Sequence, residues 1–135
     1  MTFRFAHIAA LAAVMIVFAG VSAHAQNIDP NQQEQPAPYD DQLVRLAEVL
    51  GAVHYLRNLC GAEENQTWRD QMQKLLEAEN PSTARRARFV DGFNRGYRGY
   101  QRTHATCTDA SRLLADRFVS EGVQISSQIA TRYAN

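Results

Sequence analysis

The sequence is short of lysine, of cysteine and of net charge. Lys74 is the single lysine among 14 basic residues, and 14 acidic residues cancel them. At zero formal net charge the chain offers no global field for wrapping nucleic acid or for an acidic solvating tail. Its two cysteines form neither C-x-x-C nor C-x-x-C-H, so thioredoxin-like redox chemistry and covalent haem both lack their minimal motif. Four prolines and seven glycines in 135 residues are too few for a collagen-like or low-complexity chain. The apolar run from Ile8 to Val21 holds 14 residues, short of the roughly 20 that span a bilayer. The remaining composition, 45% hydrophobic and 21% charged, is that expected of one small globular domain.

The apolar run follows Arg4 and precedes Ala23, His24 and Ala25, which reads as a secretory signal peptide over residues 1–25, cut after Ala25. No cysteine stands directly after the cut, where Gln26 is found, so a lipid anchor is unsupported, and the expected compartment is the periplasm. Residues 26–38, QNIDPNQQEQPAP, carry three prolines and six amide side chains, with Ile28 as the sizeable apolar group. Such a stretch buries too little to offset chain entropy and reads as a disordered spacer. The rest, 39–135, is a domain small enough that extra covalent constraint is expected.

Within it the apolar spacing is helical throughout, with no alternation of period two. Leu43, Leu46, Val49, Leu50, Val53, Leu56 and Cys60 recur at steps of three and four, giving a helix over 41–60. Asp40 or Asp41 is its expected cap and Gly61 its left-handed stop. Thr67, answered by Asp70, is the expected cap of a second helix carrying Trp68, Met72, Leu75 and Leu76. That helix ends near Glu79, because Asn80 precedes Pro81. Ser82 or Thr83 opens a third helix through Phe89, Val90, Phe93, Tyr97 and Tyr100. Thr108 or Asp109 opens a fourth through Leu113, Leu114, Phe118, Ile125 and Ile129 to Tyr133. Gly122 interrupts the fourth stripe, which points to a close backbone crossing or a bend. The expected fold is all-α: a small four-helix bundle or irregular helical array with one disulfide.

Two cysteines in an exported chain ordinarily pair. Closing the loop from Cys60 to Cys107 removes unfolded-state entropy worth about 4 kcal/mol. The sharper alternative adds His54 and His104 to the two sulfurs as a zinc or copper site; two free thiols are the third. The disulfide is the expected outcome, with no metal and no cofactor.

Neutrality hides a dipole. Residues 26–79 hold ten acidic and four basic side chains, whereas between Arg85 and Arg102 six arginines face only Asp91. Arg88, Arg95 and Arg102 repeat every seven residues. Arginine forks grip carboxylate or phosphate bidentately and stack on aromatic rings, so Arg88, Arg95, Arg98, Arg102, Tyr97 and Tyr100 form a candidate binding face. The plainer alternative is a solvated face bridging to the chain's own acidic half, where exposed pairs contribute only about 0–1 kcal/mol each. Gly92, Gly96 and Gly99 would thin one side of the same helix and admit a second backbone or a flat ligand. Glu63, Glu64 and Asp70 cluster near Trp68, and a carboxylate pair beside an aromatic could serve as acid and base for glycoside cleavage. Chance clustering explains it as well, so no catalytic residue is assigned.

The blocks LAEVLGAVHYLRNLCGAEENQTW (46–68), WRDQMQKLLEAE (68–79), FNRGYRGYQ (93–101) and TCT (106–108) resemble a family of small exported alphaproteobacterial proteins of uncharacterised function. The resemblance covers about 41–133 and implies paired cysteines at Cys60 and Cys107, with no activity attached. A looser likeness, in cysteine separation and helical content, is to HdeA-type periplasmic acid-stress chaperones. The expected role is a non-enzymatic periplasmic binding module for an anionic envelope component or an acidic protein. An acid-stress chaperone and a cell-wall hydrolase are the alternatives. Export argues against a nucleic-acid partner, and the oligomeric state is not legible.

Overall fold

In a computed structural model, residues 35–64 and 66–134 are described, and they form four helices and no strand. They are α1 (Asp40–Leu59), α2 (Thr67–Glu79), α3 (Thr83–Thr103) and α4 (Asp109–Tyr133). The all-α expectation holds, and each boundary read from the spacing falls within a residue or so of the observed one; the third helix, for which the spacing sets no end, runs on past Tyr100 to Thr103. The segment expected to be a signal peptide, and all but the end of the expected spacer, lie outside the described residues.

The helix stops follow local chemistry. Gly61 takes φ +68°, its N–H donates to Asn58 O at 3.2 Å, and the Ala62 N–H donates to Arg57 O at 3.0 Å. This pair of bonds is a Schellman stop, and it needs the left-handed residue that glycine supplies. Asn80 ends α2 in the left-handed region, at φ 39° and ψ 54°. Ser82 caps α3 by accepting from the Arg85 N–H at 3.3 Å, and Thr108 caps α4 by accepting from the Ser111 N–H at 3.1 Å.

Two caps differ from expectation. Tyr39 precedes α1 with no side-chain cap bond, because the Asp40 carboxylate turns inward to Arg85 instead. Gln66, not Thr67, precedes α2, also without a side-chain cap. The Thr67 N–H is already taken by Glu64 O at 2.7 Å and the Asp70 N–H by Gln66 O at 2.9 Å, so the loop's own backbone turn starts the helix.

The arrangement is not four helices around a shared core: α1 is the hub, and α2, α3 and α4 each pack on it. Gly51, Ala52, Val53 and His54 are buried in succession, which a helix with a single apolar stripe would not allow. One core cluster joins Leu43, Leu46, Ala47 and Leu50 of α1 to Met72, Leu76, Phe89 and Phe93. A second joins Val49, Ala52, Val53 and Leu56 to Ala115 and Phe118.

The closest approach is between α1 and α3, where both helices present small residues. A Cβ on Gly96 would collide with the Glu48 carbonyl and one on Gly51 with the Phe93 carbonyl, while one on Gly92 would lie 2.9 Å from Val44 O. Gly92 and Gly96 thus do what the glycine spacing promised. Gly99 does not: an added Cβ there meets nothing within 4 Å. Gly122 is a further correction. Helix α4 runs unbroken through it, and an added Cβ would meet only side chains, Val49 Cγ1 at 3.4 Å and Leu46 Cδ1 at 3.6 Å.

Cys60 and Cys107 are bonded, with Cα atoms 4.9 Å apart across 47 residues of sequence. The bridge pins the end of α1 to the α3–α4 connection, where the Tyr55 hydroxyl also donates to the His104 carbonyl. With both sulfurs consumed in the bond, a site built from the two cysteines and two histidines is excluded. His54 is instead a core residue, its ring 5.9 Å from that of Phe93 and 5.7 Å from that of Tyr97.

Candidate functional site

Helix α3 sorts its arginines by the side of the helix on which they fall. Arg85, in the first turn, lies against the start of α1. Its Nε donates to Asp40 Oδ1 at 2.8 Å and its Nη2 to Glu79 Oε2 at 2.6 Å. The Asp40 side chain is 2% exposed and that of Arg85 10% exposed, so this is a buried ion pair. Hydrogen bonding to Asp40, and secondarily to Glu79, holds the guanidinium above the usual arginine range against the opposing effect of burial. The Arg85 guanidinium carbon also stands 5.1 Å from the Phe89 ring centroid. Arg88 is partly drawn into the same cluster, 3.3 Å from Asp41 Oδ1 and 3.6 Å from Asp40 Oδ2.

Two turns further on, Arg95, Arg98 and Arg102 come together with Asp91 and Asn94 around a shallow surface hollow of about 490 Å³. Arg95 has only a distant partner, Glu48 Oε2 at 3.9 Å, and 55% of its side chain is exposed. Among the described residues Arg98 and Arg102 have no ion-pair partner. The bridge to the acidic half of the chain therefore exists, but it is made by Arg85 and Arg88; Arg98 and Arg102, like Arg86 in the first turn, take no part in it among the described residues.

The candidate tyrosines lie elsewhere. Tyr97 is half-buried and meets the Tyr55 ring edge-on at 5.4 Å, while Tyr100 meets Phe118 edge-on at 5.2 Å. Burial pushes the Tyr100 phenol above its ordinary range, with Arg45 pulling the other way. Both rings thus join α3 to α1 and α4. The six-residue face expected from the sequence divides into an outward cationic stripe, an ion-paired Arg88 and an inward aromatic edge.

The acidic grouping near Trp68 is also divided. Glu64 accepts from the Trp68 indole N–H and lies 3.9 Å from Arg57 Nε. Glu63 lines a separate polar hollow with Asn58 and Gln66, and Asp70 is exposed on α2.

Two features escaped the sequence reading. One is the Arg45–Glu121 pair, bidentate at 2.7 and 3.0 Å, which joins α1 to α4. The other is an apolar groove of about 530 Å³ between α2 and α4, floored by α1. Long-range pairing leaves no local mark in a sequence. The groove had a faint one, Gly122 amid an apolar stripe.

The class defined by these features is a small all-α domain, centred on one buried helix and closed by one disulfide, with no described helix long and apolar enough to cross a membrane. The chain belongs to a family described as protein of unknown function (DUF2385), which it matches over residues 38–133. The match opens just before α1 and closes with the last residue of α4, so it takes in the whole hub and both cysteines. No curated protein and no solved structure matches the chain.

Proposed function

We propose that the protein is a non-enzymatic binding module of the periplasm that recognises an anionic group through Arg95, Arg98 and Arg102. The observation that carries this reading is the division of labour on α3. Arg85 is committed to the fold through Asp40 and Glu79, whereas Arg98 and Arg102 have no acidic partner among the described residues. Three arginines at steps of three and four on one exposed helix side present several planar forks to one polyanionic surface, which a lone cation does not. The envelope polymers and acidic proteins of the periplasm carry carboxylates and phosphates that such forks grip. The leader-like residues 1–25 and the use of both cysteines in a disulfide support export, since such bonds persist in oxidising compartments.

In-cell crosslinking followed by mass spectrometry tests this. The wild-type protein is expected to yield adducts that weaken at high salt and disappear in an Arg95→Ala, Arg98→Ala, Arg102→Ala variant. The same adducts from both proteins would refute the assignment.

A further inference from the structure

The groove on the opposite side of α1 from α3 is lined by Val49 and Val53 beneath, Trp68 and Leu75 on the α2 side, and Phe118 and Val123 on the α4 side. Val123 is 65% exposed, a large apolar group left without a covering neighbour. The volume, about 530 Å³, falls within the range of about 300–1,000 Å³ typical of small-molecule clefts. From Leu46 to Val53 the floor runs roughly 10 Å, at ~1.5 Å per helical residue. That is two helical turns, and the 13 residues lining the groove fall short of the roughly 20–30 a side that a stable protein interface engages. Size therefore favours a small ligand over a docked helix.

Chemistry narrows it further. Of the residues lining the groove Lys74 alone is charged, and Gln71 and Ser126 are the other polar ones. An apolar slot with one cation on its α2 wall complements a molecule with an apolar chain and a single negative head. Gly122 lines the same slot. Unlike Gly51, Gly92 and Gly96, it is not needed for a backbone crossing, because an added Cβ there would meet only side chains at 3.4 Å or more. Its missing side chain leaves the slot open.

We infer that the α1–α2–α4 groove is a binding site for a single-chain anionic amphiphile of the fatty-carboxylate class, its alkyl chain lying between Trp68 and Val123 and its carboxylate at Lys74.

Trp68 is the only tryptophan of the chain, so its emission reports on the groove without a label. Titrating the purified protein with dodecanoate is expected to shift Trp68 emission to the blue, saturably and below the micelle threshold. Lys74→Glu is expected to weaken dodecanoate about tenfold, since it turns an attraction into a repulsion, and to leave dodecanol binding unchanged. Gly122→Leu is expected to abolish both while keeping the wild-type unfolding midpoint; should it unfold, the Lys74→Glu comparison decides alone. Three results would each overturn the inference: no saturable change, equal dodecanoate affinity in Lys74→Glu, or a blue shift that follows protein concentration alone and accompanies a dimer mass.

Discussion

Asp40 and Arg85 form a buried ion pair across the starts of α1 and α3, 45 residues apart in sequence, with Asp40 almost wholly withdrawn from water. Removing the cation leaves a carboxylate in the core whose Oδ2 already accepts no hydrogen bond and whose nearest other cation is Arg88 at 3.6 Å. Breaking such a pair from one side typically costs about 3–5 kcal/mol. Arg85→Ala is therefore expected to lose about 3 kcal/mol in urea unfolding, and a paired Asp40→Asn, Arg85→Leu variant to recover part of it. A loss under about 1 kcal/mol, the size of a surface pair, would show that the contact is not buried in solution.

The glycines of α3 give a prediction of opposite signs within one helix. Gly96→Ala drives a methyl into the Glu48 carbonyl, and overpacking of this kind costs about 1–3 kcal/mol or more. Gly99→Ala meets nothing within 4 Å and gains helix propensity, worth up to about 1 kcal/mol. Thermal melts are expected to move down for the first and up for the second. Equal shifts would contradict the α1–α3 crossing.

His54 confers a pH dependence with a defined sign. Burial, with a smaller contribution from the charge on Arg69, lowers its pKa below the ordinary 6.5. As pH falls through 6.5 the unfolded chain takes up the proton first, so stability declines, and the decline ends once pH is below the folded-state pKa. Above 6.5 the imidazole is neutral in both states and contributes no slope. Between about pH 7.5 and about pH 5.5, either side of the ordinary histidine value, the wild-type denaturant midpoint is expected to fall more than that of His54→Gln. Parallel profiles would mean that the ring is solvated.

The disulfide closes a separation of 47 residues, for which the chain-entropy relation gives about 4 kcal/mol. A Cys60→Ser, Cys107→Ser variant is expected to lose stability of that order and to keep helical circular dichroism at low temperature, since α1 retains its three neighbours. A variant as stable as the oxidised protein would show that the bridge is incidental.

Much of the fold could be read before any coordinates. Helix existence, the stops at Gly61 and Asn80, and the caps at Ser82 and Thr108 depend on contacts within a few residues, so they are written locally. What was hidden depends on partners distant in sequence. Asp40 looked like a cap because its competitor, Arg85, is 45 residues away. Helix α1 looked amphipathic because its leucine and valine stripe is genuine, while the small residues Ala47, Gly51 and Ala52 that bury its other sides carry little hydrophobic signal. Spacing placed six arginines and two tyrosines on one helix, but only the position of α1 and α4 around it decides which of them face outward.

The most direct test of the account pairs two readings on one sample: the affinity of the purified protein for poly-glutamate at rising salt, and its urea unfolding midpoint. Replacing Arg95, Arg98 and Arg102 together with Ala is expected to abolish binding and its salt dependence while leaving the midpoint nearly unmoved, a change in unfolding free energy within about 0.5 kcal/mol, as for surface sites. Undiminished binding with a lowered midpoint would contradict it, because those arginines would then serve the fold and not a partner.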